Sequence, residues 1–242
     1  MSLWIMLKKL NEYCIRSENG SIEGMTLPIY KPKNISSFDV IRILRKISAF
    51  KKVGHAGTLD PFAEGLLIVA FGRKETRRLD YWRSLPKVYE ATGRLGIVTD
   101  TQDLTGEILS QNESGTIQKQ NIETVFDKFR GKILQTPPMF SAKKINGQRL
   151  YRLARKGQEI ERKANPIEIY DLELIGFANP CFKIRVKCSA GTYIRTLIHD
   201  IGQAMGIGAT AWELWRTQIG NWNMNEAFTL EEFRREWTLS AI

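Results

Sequence analysis

The stretch Gly54-His55-Ala56-Gly57-Thr58-Leu59-Asp60-Pro61, followed at once by Phe62-Ala63-Glu64-Gly65-Leu66-Leu67-Ile68-Val69-Ala70-Phe71-Gly72, constrains this chain more than any other. Its glycines permit backbone angles that side chains resist, while Pro61 fixes its own φ and drives Asp60 out of the helical region. A carboxylate is therefore mounted on a stiff, irregular loop. The apolar run behind it reads as a buried strand or a buried helix, and periodicity alone leaves both open. Loops braced by a buried element are where chemistry is usually found. The plainer reading of the same residues is a surface turn carrying a solvated aspartate.

At 242 residues the chain is long enough for one large domain or two small ones with a substantial core. Apolar content of 43% and aromatic content of 10% place it among ordinary globular proteins and exclude disordered or fibrous classes. Lys and Arg number 36 against 26 Asp and Glu, a net charge of +10. That surplus points to an anionic partner, nucleic acid first and acidic membrane second. Cys14, Cys181 and Cys188 are odd in number and lack C-x-x-C spacing, so neither a disulfide framework nor a zinc site is indicated. With His55 and His199 the only histidines, no protein-built transition-metal site is expected. Leu3-Trp4-Ile5-Met6-Leu7 is too short for a signal core, and no run approaches a membrane span. A soluble protein of a reducing cytoplasm is the expectation.

Taken in order, residues 1–24 read as a poorly ordered extension, and Met25 as an alternative start. Leu27 to Lys31 reads as a strand ended by Pro32. Ser36 or Ser37 is placed to cap a helix whose apolar positions are Val40, Ile41, Leu44 and Ile47. Basic residues then crowd both flanks of the Asp60 loop: Arg42, Arg45, Lys46, Lys51 and Lys52 before it, Arg73, Lys74, Arg77 and Arg78 after it. Val88 to Leu95 reads as a strand through Tyr89. The acids of Thr99-Asp100-Thr101-Gln102-Asp103 are expected to pair with arginines or to cap backbone donors. Ile122, Val125, Phe126 and Phe129 mark a helix closed by Gly131. Asn146-Gly147 signals a hairpin turn, with a short helix after it at Leu150, Leu153 and Ala154. The basic segment from Lys143 to Lys163 looks like an insertion that grips a polyanion. Ile167–Ile175 and Phe182–Cys188 read as strands, Thr196–Met205 as a helix stopped by Gly206 and Gly208, and Leu214-Trp215-Arg216 as the start of a short further segment. Thr229 caps a last helix over Leu230–Trp237. One domain is the economical reading.

Four separated blocks carry a resemblance. Gly54 to Pro61 is the first; Lys87-Val88-Tyr89 with Leu95-Gly96 and Thr99 to Asp103 is the second. Pro137-Pro138-Met139-Phe140-Ser141-Ala142-Lys143-Lys144 and Gly191-Thr192-Tyr193-Ile194-Arg195 complete the set. In order and approximate spacing they resemble bacterial tRNA pseudouridine-55 synthases of the TruB type, from Leu27 almost to the C-terminus. The resemblance implies an α+β pseudouridine synthase catalytic fold over 25–242: a mixed, largely antiparallel central sheet, flanking helices and an RNA-gripping insertion near 137–166. It implies an isomerase that converts the T-loop uridine of tRNA to pseudouridine, without cofactor or metal, as a monomer with no protein partner and no membrane.

The same resemblance implies roles. Asp60 falls on the catalytic aspartate, Tyr89 on the tyrosine that stacks on the flipped uracil, and Arg195 on the arginine that pairs with the catalytic carboxylate. Asp103 falls on an acidic partner of that arginine, His55 on a contact to displaced nucleotides, and Tyr193 and Leu214 on substrate-pocket positions. Lys143 and Lys144 lie where the insertion meets RNA. The chemistry asks for these types on its own terms. A buried carboxylate nucleophile needs a guanidinium to stay ionised, and a uridine in a folded loop must be flipped onto an aromatic surface.

The chain also departs from the family's pattern. Tyr30 stands where Asp is frequent and Asn34 where Gly is frequent. Gly72 to Arg77 holds one residue more than the usual Gly-x-x-Thr-Lys/Arg, leaving Arg77 and Arg78 as alternatives for the basic position. The given residues end soon after Glu231, so the small C-terminal RNA-binding domain of many relatives is not expected here, and the insertion is expected to share in holding tRNA. Two competing functions stand beside the first: a related synthase acting on another RNA, and a non-catalytic RNA-binding or tRNA-folding factor.

Overall fold

A computed structural model describes residues 10–240 apart from 114, 116 and 146. The chain divides into two compact units, one holding the residues up to Leu85 together with those from Trp215 onward, the other Pro86–Leu214.

In the first unit β1 (Cys14–Arg16) pairs antiparallel with β2 (Ile22–Lys31). Of the expected N-terminal extension, residues 1–9 lie outside the described residues. Leu10, by contrast, is wholly buried in the core beside Met25, Leu27 and Phe233. Helix α1 (Ser37–Ser48) begins at Ser36, whose hydroxyl accepts from the Asp39 amide at 3.1 Å while the Asp39 carboxylate accepts from the Ser36 amide at 3.0 Å. Such a reciprocal cap is worth about 1 kcal/mol. Val40, Ile41 and Leu44 face inward as their spacing requires.

The apolar run after Asp60 is a strand. β3 (Val53–Ala56) and β4 (Glu64–Phe71) pair antiparallel, and β4 also pairs with β2. Alternation along β4 sends Leu67, Val69 and Phe71 into one apolar cluster and Leu66 and Ile68 into another. A strand buried on both faces has no polar positions, which explains the unbroken hydrophobic stretch. Each such side chain contributes about 1.5–3 kcal/mol. Two short helices follow, α2 (Arg73–Thr76) and α3 (Leu79–Ser84).

The second unit opens with β5 (Lys87–Leu95) and the hairpin of β6 (Ile97–Thr99) with β7 (Ile108–Gln111). Then come α4 (Lys119–Phe126), β8 (Gly131–Gln135), the small hairpin of β9 (Lys144–Ile145) and β10 (Gln148–Arg149), and α5 (Leu150–Ala154). The turn residue Asn146 lies outside the described residues. Long strands β11 (Asn165–Ala178) and β12 (Cys181–Cys188) lead to α6 (Ile194–Ala204). The sheet runs β5-β12-β11-β8, antiparallel throughout.

β13 (Ala209–Ile219) leaves the second unit and ends in the first, where Trp215 and Arg216 pair in parallel with Glu64 and Gly65. It is an eleven-residue strand where the sequence promised a short segment. Its composition hides it: Thr210 and Arg216, both buried, interrupt the apolar alternation that marks a strand. β14 (Trp222–Asn223) and α7 (Leu230–Ser240) complete the chain. Thr229 caps α7, its hydroxyl accepting from the Glu232 amide at 3.1 Å. The architecture is α+β, its strand pairs largely antiparallel, with β4 and β13 paired in parallel.

Candidate active site

Asp60 sits on the loop joining β3 to β4 in the first unit, half-buried. Gly57 takes φ +88°, where a side chain would be strained. The loop is then bonded residue by residue. The Ser37 hydroxyl accepts from the Leu59 amide at 2.9 Å and donates to the Leu59 carbonyl at 3.1 Å. The Asp60 carbonyl accepts from the Ala63 amide at 3.1 Å, and the Pro61 carbonyl from the Asn34 amide at 2.8 Å. Asn34 holds φ +66°, which accounts for glycine being frequent at its place.

Two buried cations border this loop. Lys31 is wholly buried, its Nζ donating to the carbonyls of Pro32 and Ile35 at 2.8 Å and of Pro61 at 3.4 Å. Burial pushes its ammonium down to about 8, against the opposing pull of Asp60 and Glu64. Arg216 donates to Gly57 and Leu66. Neither cation was singled out from sequence, because a buried Lys or Arg looks like a surface residue in any hydropathy pattern. Tyr30, the departure from Asp, donates its hydroxyl to Glu64, which Lys33 also meets at 3.2 Å.

His55, on β3, is pushed down to about 4 by burial and then by the positive charges of Arg216 and Arg83. It is a neutral imidazole at pH 7. Of the two candidate basic residues after β4, Arg78 meets the buried Glu75 at 3.3 Å. Arg77 instead lines a cleft of about 370 Å³ with Arg45, Lys52 and Arg73.

The second unit holds Tyr89, Asp103, Lys143, Lys144, Tyr193, Arg195 and Leu214, and it brings Arg195 and Asp103 together. Arg195, in the first turn of α6, is 3% exposed. Its Nη1 lies 3.3 Å from Asp103 Oδ2 and donates to the Thr101 carbonyl; its Nη2 donates to the Phe140 carbonyl at 2.8 Å. Asp103 Oδ1 accepts from the Thr101 hydroxyl at 2.9 Å and the Thr105 amide at 3.0 Å. Asp103 thus both pairs with an arginine and caps backbone donors, the two outcomes expected of an acid there.

The entry to α6 is clamped as well. Gln135, buried at the end of β8, donates to the Tyr193 carbonyl at 3.0 Å and accepts from the Tyr193 amide at 2.8 Å. Sequence reasoning passed over Gln135, since nothing local marks a glutamine that bonds a backbone 58 residues away. Tyr89 on β5 and Leu214 on β13 are buried. Lys143 donates to Asn165 at 2.7 Å, whereas Lys144 on β9 is exposed. On α5 the Tyr151 ring lies under two guanidiniums, Arg155 at 5.6 Å and Arg149 at 6.0 Å.

Comparison with known proteins adds to this geometry. A family model described as TruB family pseudouridylate synthase, N-terminal domain, matches residues 45–194. A second, for the tRNA pseudouridylate synthase B C-terminal domain, matches 195–240. The tRNA pseudouridine synthase B of Clostridium tetani is 46% identical over 208 residues, which is 86% of this chain and 72% of that protein. Its counterpart in Francisella tularensis subsp. tularensis is 48% identical, covering 85% and 68%. A solved chain from a Cbf5-Nop10-Gar1 complex matches with a TM-score of 0.71 at 29% identity over 91% of this chain. The present chain spans 57% of that chain's length.

Proposed function

The chain belongs to the TruB family of pseudouridylate synthases, and from that premise we propose that it isomerises the T-loop uridine of tRNA, at position 55, to pseudouridine. The observation that carries this reading is Asp60 itself, a carboxylate on a loop whose backbone is pinned by Ser37, Lys31 and Arg216. Asp60 attacks the flipped nucleoside, and the bond it forms breaks again when the base rejoins the sugar. The bond from C1′ to N1 of uracil breaks, the base turns, and a bond from C1′ to C5 forms. C5 loses a proton and N1 gains one, so atoms and electrons balance without a carrier.

Tyr89 receives the flipped base and takes part in removing the C5 proton; Arg195, oriented by Asp103, is the carboxylate's cationic partner. Tyr193 and Leu214 line the base pocket. His55, being neutral, offers nucleotides a ring and a hydrogen-bonding nitrogen and no charge. Lys143 and Lys144 on the insertion and Arg77 in its basic cleft contact phosphate. We place the protein in the cytoplasm, acting on tRNA as a monomer.

The test is unmodified tRNA incubated with the protein alone, followed by mapping of pseudouridine by position. Product at the single T-loop position is expected. Product only in other RNAs would favour the related synthase, and tRNA bound without product would favour the folding factor.

A further inference from the structure

Arg216 is 1% exposed, and its side chain spans the two ends of the Asp60 loop. Nε donates to the Leu66 carbonyl at 2.8 Å and Nη2 to the Gly57 carbonyl at 3.0 Å. Those carbonyls lie on either side of Asp60 in the chain, one where β3 gives way to the loop and the other inside β4. The backbone from which the fork extends is itself fixed. Arg216 stands opposite Gly65 in the parallel β4–β13 pair, and a Cβ on Gly65 would lie 2.5 Å from the Arg216 carbonyl oxygen.

Burying a guanidinium costs several kcal/mol even after relaxation. Two backbone carbonyls could be joined by a neutral amide at much smaller cost. What a neutral amide lacks is a second nitrogen: the guanidinium donates from Nε and Nη2, two positions held apart in one rigid plane. Ser37 and Lys31 bond the middle of the loop, at Leu59 and Pro61; neither reaches its two ends.

We propose that Arg216 is the positioning residue of the catalytic loop, holding the Gly57 and Leu66 carbonyls in one rigid fork and so fixing where the Asp60 carboxylate points. The inference rests on the reading of Asp60 as the nucleophile. Catalytic geometry tolerates little error, since a displacement of about 1 Å can cost on the order of 100-fold in rate. Arg216 thereby acts through Asp60 and affects turnover in preference to tRNA affinity.

The experiment compares wild type with Arg216→Met, Arg216→Lys and Arg216→Ala in single-turnover pseudouridine formation and in tRNA binding. For Arg216→Met the expected result is a rate lower by on the order of 100-fold with Kd changed less than about twofold. Arg216→Lys keeps the charge but not the fork and should remain at least about tenfold slow. Ethylguanidinium should restore part of the rate to Arg216→Ala. Wild-type rate in Arg216→Met, or a rate loss matched by weakened binding, would overturn the proposal. If Arg216→Met does not fold, Arg216→Lys decides by the same two outcomes. A wild-type protein that makes no pseudouridine would defeat the functional reading instead. The fork is then judged by hydrogen exchange, which should quicken across amides 57–66 in Arg216→Lys; unchanged exchange there would refute it.

Discussion

Nη1 of Arg195 lies 3.3 Å from Oδ2 of Asp103, and both side chains are more than nine-tenths buried. The other oxygen of that carboxylate and the other nitrogen of that guanidinium are themselves bonded, to Thr105 and to Phe140. Both partners are thus held by further bonds, and the pair is expensive to break from one side. Asp103→Ala takes an anionic partner from a buried guanidinium and should cost about 3–5 kcal/mol in urea unfolding. A loss below about 1 kcal/mol would mean that water reaches Arg195 in the variant.

Asp60→Asn keeps the shape of the loop side chain and removes its nucleophilic oxygen. Pseudouridine formation should fall below detection while tRNA affinity stays within a few-fold of wild type, measured by filter binding. Retained turnover in purified protein would remove Asp60 from the chemistry.

Gly65 holds φ +111° with β13 against it. Gly65→Ala places a methyl into the Arg216 backbone, at 2.5 Å from its oxygen and 2.9 Å from its nitrogen. Strain and overpacking together should destabilise by about 2–4 kcal/mol, with the loss read from a denaturant midpoint. Because β4 and β13 must part to admit the methyl, catalysis should fall in the folded fraction too.

Two half-buried groups set opposing pH dependences. His55 sits at about 4 when folded against 6.5 when free. Between these values only the unfolded chain binds the proton, so stability falls as pH drops, by on the order of 3 kcal/mol. Burial raises the Asp200 carboxyl from 3.8 to about 6, so its contribution is present at low pH and is lost as pH rises through 6. Asp200→Asn should leave the His55 slope exposed: steeper loss of stability from pH 6 to 4 than in wild type, and a gain at pH 7. His55→Gln should leave the Asp200 slope instead, so that stability rises as pH falls through the same window. Identical profiles for Asp200→Asn and wild type would show that the carboxyl is hydrated.

Lys144 is exposed, but Lys143 is tied to Asn165 at 2.7 Å. Lys144→Glu should weaken tRNA binding and reduce the salt slope by about one, leaving stability unchanged. Lys143→Glu should weaken binding and also lower the melting temperature, because its anchor to β11 goes. Equal salt slopes for wild type and Lys144→Glu would remove that lysine from the RNA contact.

The residues that the sequence by itself determined act locally. Gly57, Pro61 and the run from Leu66 to Phe71 made a loop backed by a buried element. Ser36 or Ser37, and Thr229, announced helix starts because a cap and its amides are neighbours in the chain. Asp103 was legible as an acid that must find a partner. Its partner was legible only through family resemblance, since no local rule joins residue 103 to residue 195.

The tertiary structure alone decided the rest, for one physical reason: the energy of a buried polar group depends on what surrounds it. Lys31, Arg216 and Gln135 are polar in every sequence window, yet they are interior because carbonyls remote in the chain accept hydrogen bonds from them. Strand β13 was missed for the same cause, its buried Arg216 breaking the pattern that a strand should show. Whether the apolar run was helix or strand was settled by two separate clusters, one on each of its faces. The chain's order of residues specified a carboxylate on a stiff loop; the cations that hold that loop still are a property of the fold.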